Sequence, residues 1–184
     1  MNIIASRVVG VALFGGLAAF LTFGPASAHI QILALLLGWV SYSHFDGKLD
    51  GLKRAVVHGL AGAVLGIGAA SFLAQHSRFG AAVDFPIWAA LGVAITLALL
   101  VIATKIQLLG DIVGLLLGYA AVVGTTSQNG ALEAILAPSL ENPAIVVIIS
   151  LIVGALFGYG ADLLRDALGS VLSRGGKAVA GAQV

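Results

Sequence analysis

Apolar residues run along this chain in long blocks separated by short polar stretches, with neither the two-residue alternation of a half-buried strand nor the narrow stripe of a surface helix. A membrane-spanning helix needs roughly 20 apolar residues to cross about 30 Å of hydrocarbon, and somewhat shorter runs are tolerated. Six blocks meet that requirement, at about 8–24, 29–45, 55–75, 85–104, 109–127 and 144–163. The pattern therefore predicts an all-α integral membrane protein with six transmembrane helices. The connections are short except for residues 128–143, so the reading is a single membrane domain over 1–184 with a cytoplasmic tail at 164–184.

The second half of the pattern repeats the first. Leu35-Leu36-Leu37-Gly38-Trp39 recurs as Leu115-Leu116-Leu117-Gly118-Tyr119, and the run from Gly62 to Ala69 recurs from Gly154 to Ala161. A weaker match, Gly10-Val11-Ala12 with Gly92-Val93-Ala94, precedes each pair in the same order. The unit is then three helices, with repeat one at about 8–75 and repeat two at about 85–163. An odd number of crossings makes the second copy enter the bilayer from the opposite side, so the expectation is two inverted three-helix repeats, an arrangement common in channels and transporters.

Composition sharpens this picture and excludes other classes. Apolar residues make up 60% of the chain and charged residues 9%, and the mean hydropathy is +1.10, whereas a soluble domain carries about a quarter charged residues. The lipid bilayer is the implied environment. A net charge of +1 without a basic face argues against nucleic acid as a partner. The absence of cysteine excludes disulfides, thiolate metal sites and cysteine nucleophiles.

Charge distribution orients the six helices. With the amino terminus on one side, that side collects Arg7, Lys48, Lys53, Arg54, Lys105, Arg165, Arg174 and Lys177, while the other receives Arg78 and a long loop bearing Glu133 and Glu141. The positive-inside rule makes the basic side cytoplasmic and places both termini there. A competing reading takes Arg7, the apolar run Val8 to Phe23 and Pro25-Ala26-Ser27-Ala28 as a cleaved signal peptide. The alignment of that run with the segment after Pro86 favours a retained helix.

The candidate functional residues are few. Gly62 and Gly66, Gly154 and Gly158, and Gly114 and Gly118 each sit four apart on one helix face, the spacing of close helix contacts in lipid. The third and sixth helices are expected to cross closely through them, packing being the commoner use of such faces than a glycine-lined pore. Trp39 and Tyr119 hold matching positions in the repeats, either flanking a pathway as a double constriction or anchoring at the interface. Trp88 reads as an interfacial anchor. Ionisable groups inside the apolar blocks are costly and mark function by default, which singles out His58, Asp111 and Asp162. Asp162 has Arg165 three residues on, a spacing for pairing. Asp111 has Lys105 nearby and sits at a helix amino terminus. His58, whose counterpart in repeat two is Ser150, is the least easily explained, and a neutral hydrogen-bonded ring or a pH-sensitive gate both suit it. His58 and Asp162 are the proton-linked candidates.

Polar residues gather where the blocks end. Tyr42, Ser43 and His44 lie at the cytoplasmic end of the second helix, and Thr125 lies at the outer end of the fifth. They form either two vestibules for a small solute or the ordinary ends of helices leaving the bilayer. His44, Asp46 and Asp50 match no strong metal motif and have Lys48 and Lys53 as competitors, so no metal and no cofactor is expected. The run Ala131 to Ala137 is expected to form a short amphipathic helix on the outer surface.

The sequence from Leu37-Gly38-Trp39-Val40-Ser41-Tyr42, through the small-residue helix from Gly59 to Ala70, to Gly118-Tyr119-Ala120-Ala121 resembles the YcdZ-type small bacterial inner-membrane proteins, over about Gly10 to Asp162. The resemblance implies a multi-pass bacterial inner-membrane location and supplies no catalytic residues.

Three functions are in play at this level. A channel or facilitator for a small neutral or weakly polar solute follows from the repeat, the glycine faces and the lack of a buried charge relay; Trp39, Tyr119, His58, Ser150, Tyr42, Ser43, His44 and Thr125 are its pathway candidates. A proton-coupled transporter would use His58 or Asp162. A scaffold or accessory subunit would use the glycine faces to dock a partner. An enzyme is disfavoured, since there is no nucleophile elbow, acid–base cluster or phosphate loop in a suitable context. Aquaporin-like identity is disfavoured because the Asn-Pro pair at Asn142-Pro143 lies in a loop. Gly10, Gly15 and Gly16 offer a spare small-residue face for homo-oligomerisation.

Overall fold

A computed structural model describes residues 3–79, 82–126, 131–137, 139 and 142–181, and these are helical with short turns and no strand. The helices are α1 (Ile3–Phe23), α2 (Ile32–His44), α3 (Lys48–Ala74), the short α4 (His76–Phe79), α5 (Phe85–Ala103), α6 (Ile112–Thr126), the short α7 (Ala131–Ala134) and α8 (Pro143–Gly181); a 3₁₀ turn at Gln107–Leu109 precedes α6. Helix starts follow local chemistry. Pro86 and Pro143 sit in the first turns of α5 and α8, where a missing N–H costs nothing.

Among the described residues, four helices are long and apolar enough to cross a membrane: α1, α3, α5 and the Pro143–Ser170 part of α8. The blocks expected at 29–45 and 109–127 contain shorter helices. α2 has 13 residues and α6 has 15, or about 20 and 22 Å at helical rise. Their amino-terminal ends are set by capping rather than by hydropathy. Gln31 Oε1 accepts the Ala34 N–H, and Asp111 Oδ1 accepts the Gly114 N–H, so the chain is extended or turned before each. The opposite correction applies at the carboxyl end, where α8 continues to Gly181 through the segment read as a tail. The amphipathic helix expected at 131–137 shrinks to the four residues of α7. His58 is ten residues into α3, which begins at Lys48. Residues 127–130 and Glu141, and the side chains of Glu133, Arg174 and Lys177 used in the charge argument, lie outside what is described.

Glycine decides which helices touch. A Cβ on Gly62 would run into the Leu115 carbonyl oxygen of α6, and one on Gly154 into the Leu35 carbonyl oxygen of α2. Gly118 abuts the Gly59 carbonyl on α3, and Gly38 abuts the Leu151 carbonyl on α8. Gly66 lies against Tyr119, and Gly158 against Trp39. In each pair the second contact is the first with its residues exchanged for their sequence counterparts. α3 and α8 do pack together, in the cluster that holds Ala63, Ala70, Val147 and Leu151, but their glycine faces are spent on α6 and α2. Backbone-to-backbone approach of this kind is what small residues permit between helices.

The register of these contacts sets direction. α3 and α6 run parallel, with contacts advancing from Gly62 on Leu115 to Gly66 on Tyr119 and Val122. α2 and α8 also run parallel, from Gln31 at Ser150 to Tyr42 at Asp162. α1 runs against α8, Gly10 meeting Ala161 and Phe14 meeting Phe157. α5 runs against α3, Trp88 stacking on Phe72 with ring centroids 4.2 Å apart. One end of the bundle, called the basic end below, gathers Arg7, Asp46, Lys48, Arg54, Asp111, Asp162 and Arg165.

The interior is built from small side chains. Ala34, Ala63, Ala121, Leu35, Leu115, Val122 and Val147 are fully buried, while Val8, Phe20, Ile95, Leu99 and Ile102 point outward from α1 and α5. An apolar exterior of this extent suits lipid rather than water.

Candidate functional site: a cavity at the basic end

Two cavities open at the basic end, one on each side of the turn between α2 and α3. The first, of about 520 Å³, is walled by Trp39, Tyr42 and Ser43 of α2, Gly158, Tyr159 and Asp162 of α8, Arg7 and Val11 of α1, and the turn Asp46-Gly47-Lys48. The turn is unusual. Asp46, Gly47 and Lys48 have φ of 60°, 71° and 60°, all in the left-handed region, where a non-glycine residue costs of order 1–3 kcal/mol unless its surroundings hold it.

Tyr42 does the holding. Its hydroxyl accepts the Lys48 N–H at 2.8 Å and donates to Asp162 Oδ2 at 2.9 Å. Gly47 is required beneath it, since a Cβ there would stand 2.8 Å from Asp162 Oδ2 and 3.1 Å from the Tyr42 hydroxyl. Asp162 Oδ1 meets Arg165 Nη1 at 2.7 Å, the pairing expected from spacing, and Arg165 Nε donates to Asp166 at 2.9 Å. The carboxylate of Asp162 is therefore balanced by charge and by hydrogen bonds, in a wall where Tyr159 packs edge-on against Tyr42. Ser43, Arg7 and Lys48 add hydrogen-bond donors around the opening.

The second cavity, of about 480 Å³, is lined by His44, Phe45, Asp46, Arg54, His58 and Asp111 with the turn at 107–110. His44 Nε2 lies 3.1 and 3.0 Å from the two Asp111 oxygens. This replaces the expected partner Lys105, because the turn at 107–109 carries the chain past it and α2 brings His44 alongside. Asp111 stands before the first residue of α6, at the opening of this cavity. Burial pushes its carboxyl up, but the Gly114 N–H and the His44 ring outweigh it, leaving its pKa below the usual aspartate value.

His58 and Ser150, counterparts in sequence, have counterpart bonds. His58 Nδ1 donates to the Arg54 carbonyl at 2.9 Å, and Nε2 accepts the Asp111 N–H at 3.4 Å. The Ser150 hydroxyl donates to the Val146 carbonyl at 2.6 Å and accepts the Gln31 N–H at 2.8 Å. Each residue satisfies a backbone donor at the start of the short helix of the other half. The ring is used for its hydrogen bonds at both nitrogens.

The remaining candidates separate. Trp39, Tyr42 and Ser43 share the first cavity, and His44 and His58 the second. Tyr119 is buried with its hydroxyl 2.9 Å from Thr96 Oγ1, Ser150 is fully buried, and Thr125 bonds its own helix at Ala121. No single void joins Trp39, Tyr119, His58 and Ser150 among the cavities described. Trp88, expected as an anchor, ties two helices by donating to the Phe72 carbonyl at 2.9 Å. Asp50 reaches Lys53 at 3.7 Å, apart from the His44–Asp111 pair. Sequence reasoning overlooked Gln31, Thr96 and the Asp46–Lys48 turn. Alignment of Gln31 with Asp111 through the repeat carried the signal for the first.

No curated protein and no solved structure matches the chain. A family model described as "Protein of unknown function (DUF1097)" matches residues 8–165. The chain belongs to the DUF1097 family.

Proposed function

We propose that this protein is a six-crossing inner-membrane facilitator for a small neutral or weakly polar solute, built from two inverted three-helix repeats, with the Trp39–Tyr42–Asp162 cavity as its cytoplasmic access. The observation that carries it is the exchange of contacts between halves: Gly62 on Leu115 with Gly154 on Leu35, and Gly118 on Gly59 with Gly38 on Leu151. Helix direction agrees, since α1, α2 and α3 run opposite to their counterparts α5, α6 and α8. Such a relation supports a pathway at the interface of the halves.

The short helices α2 and α6 fit this reading. The backbone where each begins is satisfied within the protein, by Gln31 and Ser150 for α2 and by Asp111 and His58 for α6. The resemblance to the YcdZ-type proteins and the basic residues at one end favour the inner membrane with both termini inside.

A wall that offers hydroxyls and matches the cations Arg7, Lys48 and Arg165 with the carboxylates Asp46, Asp162 and Asp166 suits a neutral or weakly polar guest better than an ion. Proton coupling, the second reading, is disfavoured because His58 and Asp162, its two carriers, are both held by partners. The test is uptake of a panel of small solutes into proteoliposomes, with and without an imposed pH gradient. Saturable uptake of at least one solute, indifferent to the gradient, is expected. Uptake that follows the gradient would transfer the assignment to the coupled transporter. No uptake, together with co-purification of a stoichiometric membrane partner, would transfer it to the scaffold.

A further inference from the structure

We propose that the bundle has a second solute-access cavity, at the end opposite the basic one and closed in this structure, walled by Tyr119, Val122, Gly66 and Ala70, which opens as the Trp39–Tyr42 cavity closes. This rests on the inverted-repeat reading above. Trp39, Tyr42, Gly158 and Asp162 surround the open cavity, and their repeat counterparts are Tyr119, Val122, Gly66 and Ala70 in that order. The counterparts sit at the corresponding crossing of α3 with α6, and the two sets differ at two places: Trp39 and Asp162 are half-buried whereas Tyr119 and Ala70 are 5% and 1% exposed, Tyr42 and Val122 being buried alike. Among the described residues the two crossings are thus unequal, one bordering an open cavity and the other packed around Tyr119 and Ala70.

The inequality lies in packing that can change hands. Gly10 of α1 presses on the Ala161 backbone of α8, whereas the atoms nearest its counterpart Gly92 of α5 belong to the Phe72 and Leu73 side chains of α3. Tyr119 is held shut by one hydrogen bond, to Thr96. Trp39, its counterpart, faces the open cavity with Gly158 beside it. Exchanging the two arrangements keeps the glycine-to-carbonyl contacts that the halves share, Gly62 on Leu115 with Gly154 on Leu35, while the side chains around each cavity differ, so the second state is a minor one. The new cavity is less polar than the first, because Val122 and Ala70 stand where Tyr42 and Asp162 do. A guest released there exchanges a hydrogen-bonding wall for the Tyr119 and Thr96 hydroxyls alone, which favours a small, weakly polar solute.

The absence of cysteine makes the experiment direct. Ser43→Cys, Val122→Cys and Ala70→Cys are made singly in the full chain and reconstituted, and a membrane-impermeant maleimide is applied from each face. Labelling in SDS gives the full-reactivity reference, and retention of a monodisperse, thermally cooperative protein qualifies each variant. Ser43→Cys should react from the basic face. Val122→Cys and Ala70→Cys should react from the opposite face only, at about 0.1–10% of the Ser43→Cys rate, as a minor state would allow. In the double variant Ser43→Cys/Val122→Cys, a bulky maleimide placed first on the thiol at position 43 should prop the basic end open and slow labelling at position 122 at least tenfold.

Rates at Val122→Cys and Ala70→Cys below one-thousandth of Ser43→Cys, or no slowing in the double variant, would overturn the exchange while leaving the inverted repeat intact. Reaction of all three from the same face would overturn the inverted repeat itself.

Discussion

Ser150 Oγ accepts the backbone N–H of Gln31 across 119 positions of sequence, at 2.8 Å. Its counterpart His58 does the same for Asp111. A serine and a histidine have little chemistry in common except an acceptor lone pair, and that is what both positions use. The start of each short helix is thereby closed twice, by its own cap residue and by the other half of the molecule. Where packed protein keeps water scarce, an unsatisfied N–H is expensive.

Removing the acceptor should therefore cost more than removing an exposed hydroxyl. Ser150→Ala is expected to destabilise by about 1–3 kcal/mol, the penalty for a buried unpaired donor, and His58→Ala by a similar amount. Thermal unfolding in detergent measures both. A Ser150→Ala variant that melts with the wild type would show that Gln31 finds another partner.

Gly154 and Gly62 are predicted to be the least tolerant positions of the chain. Each has a carbonyl oxygen in the space of a side chain, so Gly154→Val and Gly62→Val force α2 from α8 and α3 from α6. Losses above about 3 kcal/mol or failure to accumulate folded protein are expected, in the class of overpacked cores. Gly15→Ala is the control: nothing lies within 4 Å of its added carbon, and a helical alanine should be neutral or stabilising by up to about 1 kcal/mol.

Ser41 presents the reverse case. Its hydroxyl is buried and has no hydrogen-bond partner among the described residues. Ser41→Ala, which matches Ala121 in the other half, should raise stability by about 1 kcal/mol by removing a desolvated polar group. A loss on the same substitution would reveal a role for the hydroxyl in the solute path.

Asp111 links stability to pH. Its folded pKa lies below the ordinary value near 3.9, so the carboxylate stabilises the fold fully above that value, and the contribution is lost as pH falls through the folded pKa. Because the side chain is about a third exposed, the effect is modest. Asp111→Asn should flatten the unfolding-versus-pH curve below about pH 4 without changing the melting temperature's slope between pH 7 and 9. An unaltered acid limb would exclude Asp111 as its source.

What could be read along the chain was whatever depends on neighbours in sequence. The apolar blocks, the glycines spaced four apart and the Asp162–Arg165 pair at 2.7 Å follow from the helical period, because a residue three or four positions on shares a face wherever the helix lies. The contacts between distant segments did not follow. Nearly every helix face here is apolar, so burial cannot rank one neighbour over another in lipid; shape does so, through carbonyls seated against glycines. Tertiary packing alone brought Tyr42 to Asp162, gave Asp111 to His44 rather than Lys105, shortened α2 and α6 at their caps, and bent Asp46 to Lys48 into the left-handed turn that separates the two cavities.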